Sequence, residues 1–315
     1  MKRTTTLRWT IACCIVGAVL CGCGKVDLKL QMKPGDVRVV NVTTEMTASQ
    51  DGAGGPIQSL RTSRYETTDV DPAGNVSLKV TFERGDLPQF GGMGKIAELM
   101  PGLEDLKLDG KSFTAVVGPK GTVSNVRGMD ATAREVADKL LAVFQKEMAE
   151  SKDIPAPLKA QLSVAMREIE LMMRKMIRQQ LGDGAMRDQL VGVFSMYPET
   201  PVRKGAEWTK SYAVEAPVPM SVAENWKLVE RANGIAKLGF TSAVTSNPNA
   251  PMMEVMGTKV TVTVNGQVTG TAEVEEATGW PRTVLSDLDL NVDTNFMGMS
   301  MSQNLKGTQR WETTP

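Results

Sequence analysis

The period of the hydrophobic pattern changes twice along this chain, and this change constrains the fold more than any other feature. Apolar and polar residues alternate up to about residue 126, apolar residues recur at helical intervals from 132 to 194, and alternation returns after 198. Alternation is typical of half-buried β-strands, whereas recurrence every three to four residues is typical of amphipathic helices. The order of strands, helices and strands predicts an α+β fold.

Turn motifs divide the first strand region into hairpins. Asp71-Pro72-Ala73-Gly74 and Gly118-Pro119-Lys120-Gly121 each separate two alternating segments, with Pro and Gly where β-turns favour them. Residues 51–56 are predicted to form a loop. The Gly- and Pro-rich residues 85–107 are predicted to form a flexible excursion from the sheet.

The central block predicts three helices. Thr132 and Glu135 have capping-box spacing at the start of the first helix. Ile154-Pro155-Ala156-Pro157 separates it from the second, which Gly182-Asp183-Gly184 ends, and a shorter helix covers about 185–194. The second helix carries a stripe of methionines, which we interpret as a face that packs against the sheet, with a pocket for acyl chains as the alternative. These methionines are Met166, Met172, Met173 and Met176.

The last region predicts an antiparallel meander. Asn233-Gly234 and Asn265-Gly266 each predict a hairpin turn, and Thr278-Gly279-Trp280-Pro281 predicts another. We therefore expect one large, curved antiparallel sheet, similar to a half-barrel, with an inserted helical segment packed on one face. The expected parts are a signal peptide at 1–22, a β-rich part at 23–127, a helical segment at 128–197 and a meander at 198–315, the last three forming one continuous domain.

The N-terminus has the layout of an export signal. Lys2, Arg3 and Arg8 are followed by an uncharged run, Trp9 to Leu20. That run of about twelve residues has the length of a signal-peptide core and is too short to span a bilayer.

The run ends in Leu20-Cys21-Gly22-Cys23, which resembles the lipobox of bacterial lipoproteins. The resemblance implies cleavage after Gly22, a diacylglyceryl group on Cys23 and a protein anchored to a membrane of the cell envelope. Gly24 occupies the position where an aspartate often signals retention in the inner membrane. The outer membrane, facing the periplasm, is therefore favoured in a Gram-negative host. A secretory signal with a chance cysteine and a short hydrophobic anchor are the alternatives.

The positions of the cysteines and the absence of histidine limit the kinds of metal and catalytic site that the protein can have. All four cysteines lie at or before the proposed cleavage site, and the chain has no histidine. Once Cys23 is lipidated the body has no free thiol, which suits an oxidising compartment. Histidine-based metal sites and Ser-His or Cys-His nucleophile pairs are excluded. With 36 basic and 36 acidic residues there is no basic surplus, so no nucleic-acid partner is expected, and no cofactor, metal site or catalytic residue is predicted.

Carboxylates support one alternative function, an envelope hydrolase. Such an enzyme needs two acids at a defined separation in a cleft. The acids clustered in the sequence are Glu273, Glu275, Glu276, Asp287, Asp289 and Asp293. The last three alternate with Leu288, Leu290 and Val292, which is typical of the outward face of a half-buried strand.

Methionines support a second alternative, Cu(I) binding. Met297, Met299 and Met301 alternate, and Met252, Met253 and Met256 form another group. Thioethers are soft ligands that favour Cu(I). Methionine also fills irregular apolar gaps, so packing is the competing interpretation.

Two short motifs of the body carry a further resemblance. Residues 30–36, which contain Pro34-Gly35-Asp36, and the spacing Tyr197-Pro198-x-x-Pro201-Val202-x-x-Gly205-x-x-Trp208 resemble an uncharacterised family of bacterial envelope lipoproteins. That resemblance implies no activity. The expected architecture is also similar to the open half-barrels of envelope lipoprotein carriers and lipid-binding lipoproteins. Our leading hypothesis is a lipid-anchored, non-catalytic envelope lipoprotein that binds an apolar ligand or a partner protein.

Overall fold

In the described residues, a large antiparallel sheet of 12 strands packs with three helices. The computed structural model describes residues 24–50, 53–85, 107–150, 156–215, 218–247, 253–255, 258–296 and 299–314. The predicted α+β class with a large antiparallel sheet is confirmed. The signal segment with Cys23, and residues 86–106 of the predicted excursion, lie outside the described residues.

Five of the described strands precede the helices and seven follow them. The first group is β1 (Val37–Gln50), β2 (Ala53–Val70), β3 (Val76–Gly85), β4 (Ser112–Val117) and β5 (Val123–Arg127). The helices are α1 (Met129–Glu150), α2 (Ala156–Leu181) and α3 (Asp183–Phe194). The second group is β6 (Glu207–Val214), β7 (Met220–Ala232), β8 (Ile235–Ser246), β9 (Met253–Val255), β10 (Thr258–Glu275), β11 (Pro281–Phe296) and β12 (Met299–Thr314).

The strand order joins the two groups at the middle of the sheet. The order is β5-β4-β3-β2-β1-β12-β11-β10-β8-β7-β6, and β9 pairs with β10 off this path. Each group is a meander of neighbouring strands, as expected for hairpin connections. β1 then pairs with β12 through a long antiparallel ladder in which Val42 lies opposite Trp311. Strands from the two ends of the chain therefore meet at the centre of the sheet.

The predicted turn at Asn265-Gly266 is wrong. β10 continues through both residues, and Gly266 pairs with Leu290 on one side and Val244 on the other. A Cβ atom on Gly266 would lie 2.3 Å from the carbonyl oxygen of Asp289. The glycine therefore permits a close approach of backbones within a strand, which is the other common role of glycine in sheets.

The predicted loop at 51–56 is also too long. β2 begins at Ala53, which pairs with Gln50, so residues 53–56 belong to the strand. The turn at Asn233-Gly234 is confirmed. Both residues have positive φ, of 54° and 75°, as a tight hairpin turn requires.

Helices α1 and α2 pack against each other as an antiparallel pair. The Arg174 guanidinium of α2 contacts the Asp138 carboxylate of α1 at 2.5 Å, and Arg178 contacts Asp130 at 2.7 Å. Leu140 of α1 and Ile177 of α2 are buried in the main core. None of the helices in the described ranges is both long enough and apolar enough to cross a membrane.

Aromatic side chains form the centre of the main core. Trp280 has no exposed surface, and its ring centroid lies 5.5 Å from that of Tyr65 and 5.7 Å from that of Phe194. Phe194 ends α3, and Tyr65 lies in β2. Edge-to-face pairs of this kind stabilise a core beyond the burial of their area. The end of α3 is thereby fixed against the sheet.

Residues of the Tyr197–Trp208 motif fix the segment between α3 and β6 against the rest of the fold. The Tyr197 hydroxyl donates to the Gly279 carbonyl at 2.7 Å, and the Trp208 indole donates to the Met196 carbonyl at 3.1 Å. Val202 pairs with Val26 in an isolated bridge. The motif therefore has a structural role in this chain.

Candidate functional site

A cavity of about 430 Å³ lies between α3 and one face of the sheet. Small-molecule sites are commonly about 300–1,000 Å³ and mostly apolar, so this volume fits a small ligand. The wall is largely aromatic and aliphatic, and it includes Val80, Phe82, Phe113, Trp226, Phe240 and Trp311. These residues come from strands of both groups, so the cavity depends on the complete sheet.

Helix α3 is held over the cavity by polar contacts at both sides. Arg61 of β2 donates from Nη1 to the side-chain oxygen of Gln189 at 2.8 Å. On the other side, the Asp188 carboxylate accepts the backbone N–H of Glu215, just after β6, at 2.8 Å. Between these contacts Met186 and Leu190 are buried against the sheet. The helix therefore spans the cavity from β2 to β6.

A buried carboxylate, Glu224, lies in the wall near β6. It is 4% exposed, and its Oε2 accepts hydrogen bonds from the Ser195 hydroxyl at 2.7 Å and the Trp226 indole at 2.8 Å. Its Oε1 accepts from the Tyr212 hydroxyl at 3.0 Å. Three donors satisfy this carboxylate, as burial of a charge requires. We call these residues (Ser195, Tyr212, Glu224 and Trp226) the Glu224 cluster.

Tyr212 stays a neutral donor in this cluster. Burial raises its pKa above the ordinary value, and the negative charges of Glu224 and Asp188 raise it further. The tyrosine hydroxyl consequently keeps its proton over the physiological range. The Glu224 cluster is thus a fixed set of hydrogen bonds that joins α3, β6 and β7.

Arg61 contributes the positive charge of the wall. Its guanidinium carbon lies 5.7 Å from the centroid of the Phe82 ring. Burial lowers the pKa of Arg61, because loss of water disfavours the cation. Within the described residues its Nε has no hydrogen-bond partner, and the side chain forms no ion pair.

A second hydrogen-bond donor of the cavity wall also lacks a partner among the described residues. The indole Nε1 of Trp311 is buried and has no hydrogen-bond partner within the described part of the chain. Trp311 packs against Tyr65, with ring centroids 5.5 Å apart. Burial raises the pKa of Tyr65 to about 12, although Arg61 opposes the rise.

The acids predicted as candidate hydrolase residues do not come together. Glu273 lies 3.6 Å from Lys237, Glu275 lies 3.5 Å from Arg38, and Glu276 pairs with Arg231 at 2.7 Å. Each acid faces a different cation, and none of them lines the cavity.

The second acidic group lies on the outward face of β11, as predicted. Asp287, Asp289 and Asp293 are exposed, whereas Leu288, Leu290 and Val292 are half-buried. Asp289 pairs with Lys306 at 3.0 Å. The group is therefore a solvated strand face, and it supplies no pair of acids to the cavity.

The methionine groups are largely beyond what the structure describes. Met252, Met256 and Met297 lie outside the described residues, and Met301 is exposed on β12. The hypothesis of Cu(I) binding stays a prediction. In the described part of the chain, no three His, Cys, Asp or Glu side chains group as metal ligands would.

The methionine stripe of α2 lies away from the cavity. Met173 packs against the main core, Met166 and Met176 are half-buried, and Met172 is exposed. The helical side of the cavity comes from α3, including Met186, Leu190 and Val193. The stripe therefore does not line the cavity, and its packing against the sheet stays a prediction.

Sequence reasoning missed Arg61, Asp188 and Glu224. Alternation in β7 places Glu224 between Val222 and Trp226 on the buried face, where an apolar residue is expected. The same rule places Arg61 on the face of the buried Tyr65. A charged residue at a core position of a strand was the signal that could have identified both.

Comparison with known proteins supplies a family. A family model described as a family of unknown function, DUF6263, matches residues 106–281, more than half of the chain. That range contains all three helices and the Glu224 cluster. No curated protein matches the chain. The chain belongs to the DUF6263 family.

Proposed function

We propose that this protein is a lipid-anchored envelope lipoprotein that holds an apolar ligand in the cavity under α3. In this proposal the sheet curves into a half-barrel around the cavity, and the helical segment packs on its inner face. The cavity itself carries the proposal, because a space of about 430 Å³ lined by aromatic side chains suits a small apolar molecule.

The helix held across the cavity favours a small ligand over a partner protein. Gln189 and Asp188 fix α3 to opposite sides of the cavity, at β2 and after β6. Ser195 adds a third contact through Glu224. A helix held in this way leaves room for a chain-like molecule beneath it, whereas a protein element would have to displace it.

The start of the described body supports close attachment to the membrane. The Arg231 guanidinium donates to the carbonyl of Gly24 at 2.7 Å and also pairs with Glu276. Gly24 directly follows the proposed lipidation site, Cys23. The folded body would then begin one residue from the lipid, close to the source of any lipid ligand.

Tryptophan quenching tests the ligand. Trp226 and Trp311 line the cavity, so a dibrominated fatty acid that enters it should quench their fluorescence in a saturable way. The chain from Gly24 onward contains every described strand and helix and is the sample, with circular dichroism as the check of folding. Val193→Phe should fill the cavity and reduce the quenching, whereas Val229→Phe, at a position 49% exposed, should leave it unchanged. Quenching that is absent, or equal in both variants, would refute the proposed ligand site.

Acyl labelling tests the anchor. Cys23→Ser should abolish labelling by a radioactive fatty acid and release the protein from the membrane fraction, since stable anchoring needs the acyl chains. Cys21→Ser keeps the proposed acceptor and should retain both properties. A Cys23→Ser protein that is still acylated would place the anchor elsewhere.

A further inference from the structure

Two buried hydrogen-bond donors of the cavity wall have no acceptor among the residues that the structure describes. They are the Nε of Arg61 and the Nε1 of Trp311, and both residues line the cavity. A buried donor without an acceptor is costly, so such groups in folded proteins usually have an explanation. Two such donors in one cavity wall favour a ligand that carries a hydrogen-bond acceptor.

The register of the sheet places Arg61 and Trp311 in line with each other across three neighbouring strands. Val42 of β1 lies opposite Arg61 of β2 and also opposite Trp311 of β12. Directly opposed residues project from the same face, and neighbouring strands are about 4.8 Å apart. The backbones of Arg61 and Trp311 are therefore about 10 Å apart across Val42, a span that two long side chains can bridge to a common group.

The charges of the wall favour an anionic acceptor beside Arg61. Glu224 already has three donors, and Asp188 accepts a backbone N–H and lies 3.8 Å from Arg187. Among the described residues, the hydrogen-bond acceptor of Arg61 is the neutral side chain of Gln189, and its guanidinium lies beside the Phe82 ring. Nη1 is the nitrogen that donates to Gln189, and Nε is buried without a partner among the described residues, so the edge formed by Nε and Nη2 is the one left for a further acceptor. That edge matches the two oxygens of a carboxylate or phosphate.

We propose that the ligand is a single-chain amphiphile with an anionic oxygen head group, a carboxylate or a phosphate. The head group lies over Val42 and accepts hydrogen bonds from Arg61 and Trp311, and the chain runs along the aromatic wall. The cavity of about 430 Å³ lies near the lower end of the usual range for ligand sites, which suits one chain better than a diacyl lipid. This inference rests on the proposed function and assigns the chemical class of its ligand.

The test uses the full chain in lipid nanodiscs, with native mass spectrometry to count the molecules that stay bound after release. Palmitate, hexadecyl phosphate and hexadecanol share one chain and differ in the head group. At least one anionic probe should reach half occupancy at a concentration about ten- to a hundredfold below that of hexadecanol, the range for hydrogen bonds to a charged group. The better anionic probe identifies the head group as carboxylate or phosphate.

Single substitutions test which side chains cause the preference for anionic probes over hexadecanol. Arg61→Gln should reduce the occupancy ratio between the anionic probes and hexadecanol to about one. Arg64→Gln is the matched control, because Arg64 is exposed on the opposite face of β2. Gln189→Ala removes the present partner of Arg61 and should keep the advantage. If Gln189→Ala abolishes it as fully as Arg61→Gln, then Arg61 only holds α3 and the inference is overturned.

A second variant covers the case in which Arg61→Gln does not fold. Trp311→Phe keeps an aromatic ring in the core and removes only the indole donor, so anionic probes should bind about two- to tenfold more weakly. Equal occupancy by hexadecanol and the anionic probes in the wild type would overturn the anionic head group and leave the proposed function standing. Binding of none of the three probes would remove the proposed function as well.

Discussion

Asp130 and Asp183 cap each other's helices. The Asp183 carboxylate accepts the backbone N–H groups of Met129 at 2.7 Å and Asp130 at 3.2 Å, at the start of α1. In return, the Asp130 carboxylate accepts the N–H of Asp183 at 3.1 Å, at the start of α3. Each carboxylate accepts hydrogen bonds from backbone N–H groups at the start of a helix. Its negative charge also interacts favourably with the positive end of that helix's dipole. The helix that covers the cavity is thus fixed at its first turn by the first turn of α1.

Removal of this reciprocal cap should destabilise the protein. Asp183→Ala leaves two N–H groups of α1 without an acceptor and should lower the free energy of unfolding by about 1–2 kcal/mol. Urea unfolding followed by circular dichroism measures the change. Asp138→Ala removes an exposed carboxylate of α1 that pairs with Arg174, and its effect should be clearly smaller. Equal effects of the two substitutions would argue against the cap.

The pair of Arg231 and Glu276 should make stability depend on pH. The hydrogen bonds from Arg231 lower the pKa of the Glu276 carboxyl below its ordinary value, although burial opposes this. A lowered pKa in the folded state gives stability that is complete above the unfolded value, about 4.3, and is lost as the pH falls through the folded value.

Glu276→Gln should therefore cost about 1 kcal/mol at pH 7, and the difference from the wild type should shrink as the pH falls below about 4. Urea midpoints measured over a pH series give this comparison. Glu207→Gln is the control, because the pair of Glu207 and Lys227 is exposed. A constant difference across the series would show that the charge of Glu276 is not the cause.

Gly121 should tolerate no side chain, for two separable reasons. Its φ is +86°, and a Cβ atom would lie 1.8 Å from the Phe194 carbonyl oxygen at the end of α3. Gly35 has a φ of +88° with open space around its Cβ position. Gly35→Ala should cost about 1–2 kcal/mol from backbone strain alone. Gly121→Ala should cost about 1–3 kcal/mol more from the steric clash. Thermal unfolding of both variants measures the difference, and equal costs would contradict the clash.

The contribution of the Glu224 cluster to the free energy of unfolding should depend on hydrogen bonding more than on the charge of Glu224. Glu224→Ala leaves the donors of Ser195, Tyr212 and Trp226 buried without an acceptor and should cost about 3 kcal/mol or more. Glu224→Gln keeps an acceptor oxygen for Ser195 and Trp226 and lets Tyr212 accept from the amide, so it should cost about 1 kcal/mol. Unfolding followed by tryptophan fluorescence reports both values. A glutamine as costly as the alanine would show that the charge matters most.

Local patterns predicted the strands and helices of this protein well and failed where distant pairing decides the outcome. Asn265-Gly266 has a strong local preference for a turn, but pairing with β8 and β11 along the whole of β10 overrides it. The strand that the sequence predicts here, Trp226 to Glu230, begins after Glu224, whereas β7 begins at Met220. Glu224 was missed for that reason.

The candidate site could not be predicted because it depends on register between distant strands. Arg61 and Trp311 become neighbours only through Val42, which pairs with both. Alternation within β2 could have shown that Arg61 points toward the core, but not that a second unsatisfied donor shares its row. The volume under α3 likewise follows from packing between parts of the chain that are far apart in sequence.

The pairing of β1 with β12 also affects how the protein is made. β1 is synthesised early, and one of its edges has no partner until β12, near the end of the chain, is complete. An unpaired strand edge attracts other strands, and sheets that depend on such distant contacts form slowly. Protection of that edge during synthesis is therefore part of what this topology demands. Proteolytic removal of β12 would break the hydrogen-bonded link between the two halves of the sheet and leave each half with its own hairpins.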